Sequence, residues 1–340
     1  MRVLFVTNGY PTEDHPEYCV FNKEQVSSIE KRGVEVDVIF INARDYGRSE
    51  YVKAIKIIKD KSKNADLIHC FHGLSYLITL LSVGKKVPLV VSFLNAIENE
   101  YIEFPKPVSQ ICSVITKMLV KKNIGMIFKD RVPIWAKTNS LAKNIPNGVN
   151  IEQFFPLKRS EAIQALNLDS SKRYVLFVSS KDKFRRQKRY DMFTLVLKNL
   201  KADQAFSDVE ELCLVNETRD RVPLYFNSAS VHLLTSDFEG SPNSVKESMA
   251  CNTPVVSTNV GNVKEMFQGG EAGCEFVNVG DVDALTESLK NTLGSSERID
   301  LLSVLKNNDL DSVSSAQAVC QLYSEVLSNF ATSNKFLSTP

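Results

Sequence analysis

The sequence predicts an α/β protein of two parallel-sheet units in series. Three observations carry that prediction. Short apolar runs alternate with longer helix-patterned stretches. The alternation starts again in the second half of the chain. The length of 340 residues suits two domains of about 150 residues each.

In chain order, residues 3–7, 34–41, 66–71 and 89–93 read as the strands of the first unit. Each is rich in Val, Ile, Leu or Phe, as strands buried on both faces should be. Residues 21–31 read as a helix closed by Gly33, a favoured residue beyond a helix end. This βαβ rhythm implies a parallel sheet. In the stretch 111–121, Ile111, Val114, Ile115, Met118 and Leu119 fall on one helical face, with Lys117 and Lys121 outside the stripe and Lys122 and Lys129 following. Such a helix can pack its stripe on the sheet with solvated lysines, or it can lie on an anionic membrane surface.

The turn-rich IPNGVN at 145–150 marks the linker, so the domains are 1–150 and 151–313. Strands of the second unit are expected at 174–179, 211–215, 231–234 and 255–258, and helices at 188–200, 222–229, 244–251 and 282–293. Two such units form a cleft, with ligands at the carboxyl ends of the strands. Residues 314–330 place Val319, Leu322, Tyr323, Val326 and Leu327 at helical spacing, and fraying is expected from about 334.

Composition narrows the function classes. Hydrophobic residues make up 43% and charged residues 24%, ordinary values for a globular protein, and 14 Gly with 12 Pro are too few for a fibrous or disordered chain. A net charge of +1 gives no whole-chain argument for nucleic acid. Residues 1–150 carry 21 Lys/Arg against 15 Asp/Glu, the remainder 20 against 25, so the first half is the one to meet an anionic surface or acceptor. The seven cysteines form no C-x-x-C pair, which argues against a disulfide framework or a zinc site. No run of 18 apolar residues occurs and the amino terminus lacks a signal-peptide stretch. These features point to a cytoplasmic protein, peripheral on a membrane at most.

Two segments carry chemistry. The first is F-E-G-S-P-N-S-V-K-E at 238–247, between an apolar strand and a helix. Ser241 or Asn243 can cap the helix and Pro242 suits its first turn. The free amides there form an anion site reinforced by the helix dipole, and Gly240 permits close backbone approach. Glu239 and Glu247 can grip sugar and ribose hydroxyls, although acidic residues near a helix start are also ordinary helix chemistry. The second segment is K-D-K-F-R-R-Q-K-R at 181–189, directly after a strand. Arg185 and Lys188 are suited to a diphosphate, one as a fork and one as a point charge; the alternative is a solvated charged face. No G-x-G-x-x-G or P-loop is present. Asp281-Val282-Asp283 reads as a helix cap rather than a metal-binding D-x-D. The four histidines lack metal-ligand spacing; His69 and His232 read as satisfied core residues, and His72, at a strand end, is the one placed for a site.

These residues resemble the family 4 glycosyltransferases, retaining enzymes of the GT-B fold. The resemblance rests on Glu239 to Glu247 as an E-x7-E element, on the surrounding 233–265, on IPNGVNIEQFFP at 145–156, on residues 8–38, and on R-x-x-K-x-x-D at 185–191. It implies two Rossmann-like domains facing a cleft, an acceptor-binding one first and a nucleotide-sugar-binding one second, with the C-terminal helix crossing back to the first. It implies a metal-independent hexosyltransferase with no cofactor. Arg185 and Lys188 would hold the diphosphate. Glu239 would act at the transferred sugar, and the amides of Ser241 to Val245 would cradle sugar and phosphate. Glu247 would bind the ribose. The acceptor would be a glycan or lipid-linked glycan in bacterial surface polysaccharide synthesis, with membrane contact through 111–122 and no nucleic-acid partner. Leu94 stands where many members have His, which leaves His72 or Glu98 for the acceptor side, and Glu17-Tyr18-Cys19-Val20 replaces a common Gly-Gly pair. The alternatives are a non-catalytic nucleotide-sugar-binding relative and a non-hydrolysing nucleotide-sugar epimerase.

Overall fold

A computed structural model describes residues 1–16, 18–84, 86–95, 97, 100–101, 104–120, 124–179, 182–267, 274–295 and 300–337. The chain divides into two compact units. The first is built on residues 1–147 with the C-terminal helix, the second on Gly148–Ser312.

The first unit holds a six-stranded sheet of β1 (Arg2–Thr7), β2 (Glu35–Phe40), β3 (Leu67–Phe71), β4 (Leu89–Phe93), β5 (Gly125–Phe128) and β6 (Ala142–Asn144). Its order is β2-β1-β3-β4-β5-β6, and every pair is parallel. Both faces are covered, which is why the strands read as continuous apolar runs rather than alternating ones. Leu4, Val6, Ile68, Val91 and Phe93 pack with Ala54 and Ile58 of helix Ser49–Lys61 and Tyr76 of helix Gly73–Val83. On the other side Val3, Leu67, Val90 and Ile127 pack with Ile29 of helix Val20–Glu30 and with Ala316, Val319, Leu322, Tyr323 and Val326 of helix Ser312–Leu337. That last helix approaches so closely that a Cβ on Gly125 would lie 2.8 Å from Val326. His69 in β3 ties it down further: Nδ1 meets the Tyr323 hydroxyl at 2.6 Å and Nε2 the Ser92 hydroxyl at 2.8 Å.

The second unit holds β7 (Arg173–Ser179), β8 (Val209–Val215), β9 (Val231–Leu234), β10 (Val255–Thr258) and β11 (Cys274–Val277). The order is β11-β10-β9-β7-β8, all parallel. Tyr174, Leu176, Leu234 and Val255 pack with Phe226, Val245, Met249 and Leu305 on one face. Val175, Phe177, Leu233 and Val256 pack with Phe193, Val196, Leu200, Leu285 and Leu289 on the other. The segment after the linker lies against the end of this unit. Val149 N–H donates to Leu310 O at 3.0 Å and Ser312 N–H to Val149 O at 2.8 Å. A Cβ on Gly148 would collide there with the Asp311 carbonyl.

Three expectations need correction. The helix expected at 188–200 runs over Tyr190–Lys201, because Arg186–Lys188 winds as a 3₁₀ turn and Arg189 takes a left-handed φ of 53°. Helix Asn243–Ala250 has Pro242 at its N-cap, and neither Ser241 nor Asn243 caps it with a side chain. Helix Lys106–Leu119 does not pack the 111–119 stripe on the sheet. Ile111, Val114, Ile115 and Met118 are exposed, and the buried positions are Ser113 and Thr116. Asp281 does cap its helix, accepting from the Ala284 amide at 3.0 Å.

Candidate functional site

In the second unit the strand order reverses between β7 and β9, the two strands that precede the chemistry-bearing loops. Ligands in open α/β sheets collect outside the carboxyl ends of such strands. The loop after β7 (182–189) and the loop after β9 (235–242) are stitched together there. Gln187 Nε2 donates to Phe238 O at 2.6 Å and receives the Asp237 amide on its own carbonyl at 2.9 Å. Thr235 Oγ1 donates to Lys188 O at 2.8 Å. The left-handed Arg189 is held by its guanidinium, which grips Asp191 and, at 2.9 Å, Asp237. That pairing raises the Arg189 pKa and lowers that of Asp191.

This stitching brings Lys188 and Glu239, 51 residues apart, into one ion pair. Lys188 Nζ lies 2.7 Å from Glu239 Oε1, and each side chain is 13% exposed. Ser236 Oγ donates to the same oxygen at 2.8 Å. Arg185 is placed differently. It is exposed and, with Phe184, Arg186, Tyr190 and Asp237, lines a surface pocket of about 410 Å³.

Helix Asn243–Ala250 opens next to the pair. With Pro242 as N-cap and no side-chain cap, the amides of Asn243, Ser244 and Val245 have no intrahelical acceptor and the positive end of the helix dipole is bare. Asn243 Oδ1 is buried with no hydrogen-bond partner among the described residues. Ser244 Oγ lies 3.1 Å from His232 Nε2, and His232 Nδ1 is 3.1 Å from the Leu176 carbonyl. The carbonyl can only accept, so Nδ1 carries the proton and Nε2 receives the Ser244 hydroxyl. Burial pushes the His232 pKa down to about 4, which keeps that neutral tautomer. The neighbouring Lys246 is fully buried, with Nζ 3.0 Å from Ser241 Oγ. Desolvation lowers its pKa to about 7, partly opposed by Glu247.

Glu247, one turn further, is buried and meets Arg219 at 2.7 Å. The Arg219 guanidinium stacks 4.5 Å over the Phe154 ring. Arg219 belongs to no motif and was not nominated from the sequence; an arginine in a polar ETRDR stretch carries no signal of its own. Gly240 is fixed from behind. Its carbonyl accepts from the Asn262 amide at 3.1 Å, and Gly261, at φ +57°, leaves no room for a Cβ beside that carbonyl.

In the first unit, His72 ends β3 with a φ of 82°. Its Nδ1 accepts from Leu74 N–H at 3.2 Å and its Nε2 lies 3.5 Å from Glu100 Oε2. Both ring nitrogens therefore face protein groups. Glu98 lies outside the described residues. Glu100, which the sequence reading passed over, is buried and accepts the amides of Gly73, Leu94 and Asn95 at 2.7–3.0 Å. Among the described residues no three His, Cys, Asp or Glu side chains are grouped to hold a metal ion, and no helix is long and apolar enough to cross a membrane.

Residues 172–295 match the family model of the group 1 glycosyl transferases, the span that carries Arg185, Lys188, Arg219, Glu239, Lys246 and Glu247. No curated protein sequence matches the chain. Among solved structures the chain is similar to the sucrose-phosphate synthase of Thermosynechococcus elongatus (TM-score 0.72, 14% identity, 96% of this chain and 100% of that one). It is also similar to an α,α-trehalose-phosphate synthase of Burkholderia vietnamiensis (0.68, 15%, 96% and 97%) and to HepE of Anabaena in complex with UDP (0.66, 15%, 96% and 100%). The fold is therefore GT-B, two Rossmann-like units with parallel sheets, and within the second unit residues 172–295 are similar to the group 1 glycosyl transferases.

Proposed function

We propose that the protein is a retaining glycosyltransferase that moves a sugar from a nucleoside-diphosphate donor to an acceptor hydroxyl. The observation that carries this reading is the Lys188–Glu239 ion pair at the bare end of helix Asn243–Ala250. A cation, a carboxylate and free amides meet there at the carboxyl ends of β7 and β9. HepE, the UDP complex cited above, was also solved with UDP-glucose; UDP is the first donor nucleotide to test.

In the reaction the bond between the anomeric carbon and the diphosphate breaks, and negative charge grows on the leaving phosphate. Lys188, Arg185 and the amides of Ser241, Asn243, Ser244 and Val245 meet that charge, and preorganised donors of this kind are the largest single contribution in many enzymes. Glu239, held by Lys188 and Ser236 through one oxygen, keeps the other for a hydroxyl of the transferred sugar. Glu247, braced by Arg219, binds the ribose diol. The leaving phosphate takes the proton of the attacking acceptor hydroxyl on the same face, so the configuration is retained. Because protein cations meet the charge, we expect turnover to persist in a chelator. The setting that fits is addition of a sugar to a glycan or lipid-linked glycan during surface polysaccharide synthesis.

A thermal-shift panel with UDP, GDP, ADP and CMP tests the site. A ligand at 100 times its Kd stabilises by about 2.7 kcal/mol, or roughly 2–4 °C per kcal/mol for a unit of this size. One diphosphate should raise the midpoint, and Glu247→Ala should abolish the shift. No shift with any nucleotide overturns the proposal, and an epimerised sugar formed from donor alone replaces it with an epimerase.

A further inference from the structure

Helix Lys106–Leu119 is amphipathic with its faces exchanged. The side chains it buries are polar. Ser113 Oγ donates to Ile97 O at 3.1 Å and to Ser109 O at 2.9 Å. Thr116 Oγ1 meets the buried Tyr101 hydroxyl at 2.5 Å and donates to Cys112 O at 2.8 Å. Cys112 and Leu119 pack partly on the core, but the other apolar side chains face water: Ile111 is 58% exposed, Val114 56% and Met118 64%, with Val108 and Ile115 above 40%. Lys117 Nζ lies 6.0 Å from the Trp135 ring, and the adjoining Ile134 is 84% exposed. A soluble protein scatters exposed apolar residues singly; a contiguous stripe on one helix marks an interaction surface.

Charge says what covers it. Residues 104–137 hold seven Lys/Arg and one acidic residue, Asp130, whereas the rest of residues 1–150 holds fourteen of each sign. The whole positive excess of that half falls within this stretch of sequence. Lys129 is buried and Lys121 and Lys122 lie outside the described residues, but Lys106, Arg131 and Lys137 are exposed and Lys117 is partly so. The helix itself carries no acidic side chain. A second copy docking by the same face would set basic against basic. An anionic bilayer offers the opposite sign to the lysines and an acyl boundary to the apolar stripe.

We propose that the exposed face of helix Lys106–Leu119, with Ile134, lies in the interface of an anionic phospholipid bilayer and anchors the first unit there. The inference stands on the first unit alone and does not depend on the donor site being active.

The test is co-sedimentation of the full chain with phosphatidylcholine vesicles, with and without phosphatidylglycerol. The chain should sediment with the phosphatidylglycerol vesicles only, and less as salt rises. Each of Lys106→Ala and Lys117→Ala should weaken partitioning about fivefold, the factor for one basic residue near an anionic surface. Ile111→Glu/Met118→Glu should weaken it at least tenfold. Those two side chains project into solvent, so the double variant should keep its circular dichroism and its donor-nucleotide thermal shift. If the nucleotide shift were absent from wild type while vesicle binding held, the donor reading would fail and this one stand. No sedimentation with anionic vesicles, or sedimentation unchanged in the double variant, overturns the proposal. So does a light-scattering dimer that the double variant dissociates.

Discussion

At the residue scale, Lys188 does two things at once, and its removal should cost more than a lost salt bridge. In the proposed reaction it meets the developing charge on the leaving diphosphate, and in the structure it neutralises a carboxylate that is only 13% exposed. Lys188→Met should lower kcat by about 10²–10³-fold, the loss for one preorganised donor. In Lys188→Met/Glu239→Gln the two losses should be less than additive, because the second change removes the unpaired buried charge left by the first. Steady-state kinetics of the four proteins measure this; strictly additive effects would separate the two residues. Lys246 makes a prediction about pH. Its pKa falls from the ordinary value near 10.4 to about 7 on folding. Between those values the unfolded chain binds a proton that the folded one releases, so this group makes stability rise with pH across that window by up to about 1.4 kcal/mol per pH unit. Below pH 7 both states are protonated and the burial penalty is felt in full. The apolar Lys246→Met escapes it. Its thermal midpoint, measured against wild type, should be most favourable near pH 6 and lose that advantage towards pH 9. A gap that does not change with pH would refute the depressed value.

Much of this candidate site was legible because its residues sit in two short segments whose chemistry shows in the residue types. Arg219 was not, since its partner Glu247 lies 28 positions later and the contact exists only after Phe154 supplies a ring for the guanidinium to stack on. Nor was Lys246, where a lysine beside Glu247 and Ser248 reads as a solvated face until the fold buries it against Ser241. Glu100 was overlooked for a similar reason. Its role comes from three amides at the ends of β3 and β4, not from any spacing in the chain.

At the scale of elements, periodicity reports a stripe but not the side that faces the core. In helix Ser312–Leu337 the stripe is the core: Val319, Leu322, Tyr323 and Val326 are all buried in the first unit. In helix Lys106–Leu119 the same signal faces water, because Ser113 and Thr116 find hydrogen-bonding partners on the inner side. The short β5 and β6 escaped the sequence reading altogether, being only four and three residues long. The C-terminal helix also offers a clean stability test. Leu322→Ala opens a cavity in a fully packed site and should cost about 2–5 kcal/mol. The single tryptophan, Trp135, packs on Phe93 and Phe128 of the same unit, so its fluorescence reports that unit in urea. The fluorescence midpoint should fall in Leu322→Ala; an unchanged midpoint would mean that the helix is not part of the first unit's core.

At the scale of the whole molecule, each unit carries one buried histidine kept neutral. His69 sits between Ser92 and Tyr323 in the first unit, and burial together with nearby Lys129 holds its pKa well below the usual range. His232 sits between Leu176 and Ser244 in the second, with a pKa near 4. Both shifts are depressions, so their sign is fixed. Above about pH 6.5 neither state holds the proton and neither histidine matters. As pH falls below that, the unfolded chain gains protons that the folded chain refuses, and stability drops. For His232 the loss is complete near pH 4 and amounts to about 3 kcal/mol. The two units should therefore both weaken in mild acid, for separate reasons that separate probes can read. His232→Gln should flatten the pH dependence of unfolding followed by circular dichroism between pH 6.5 and 4, while leaving the Trp135 fluorescence transition as steep in pH as in wild type. His69→Gln should do the reverse, since Tyr323 and Ser92 can hydrogen-bond an amide that takes no proton. If either substitution altered both transitions equally, the acid response would belong to the molecule as one cooperative body instead of to two separately titrating cores.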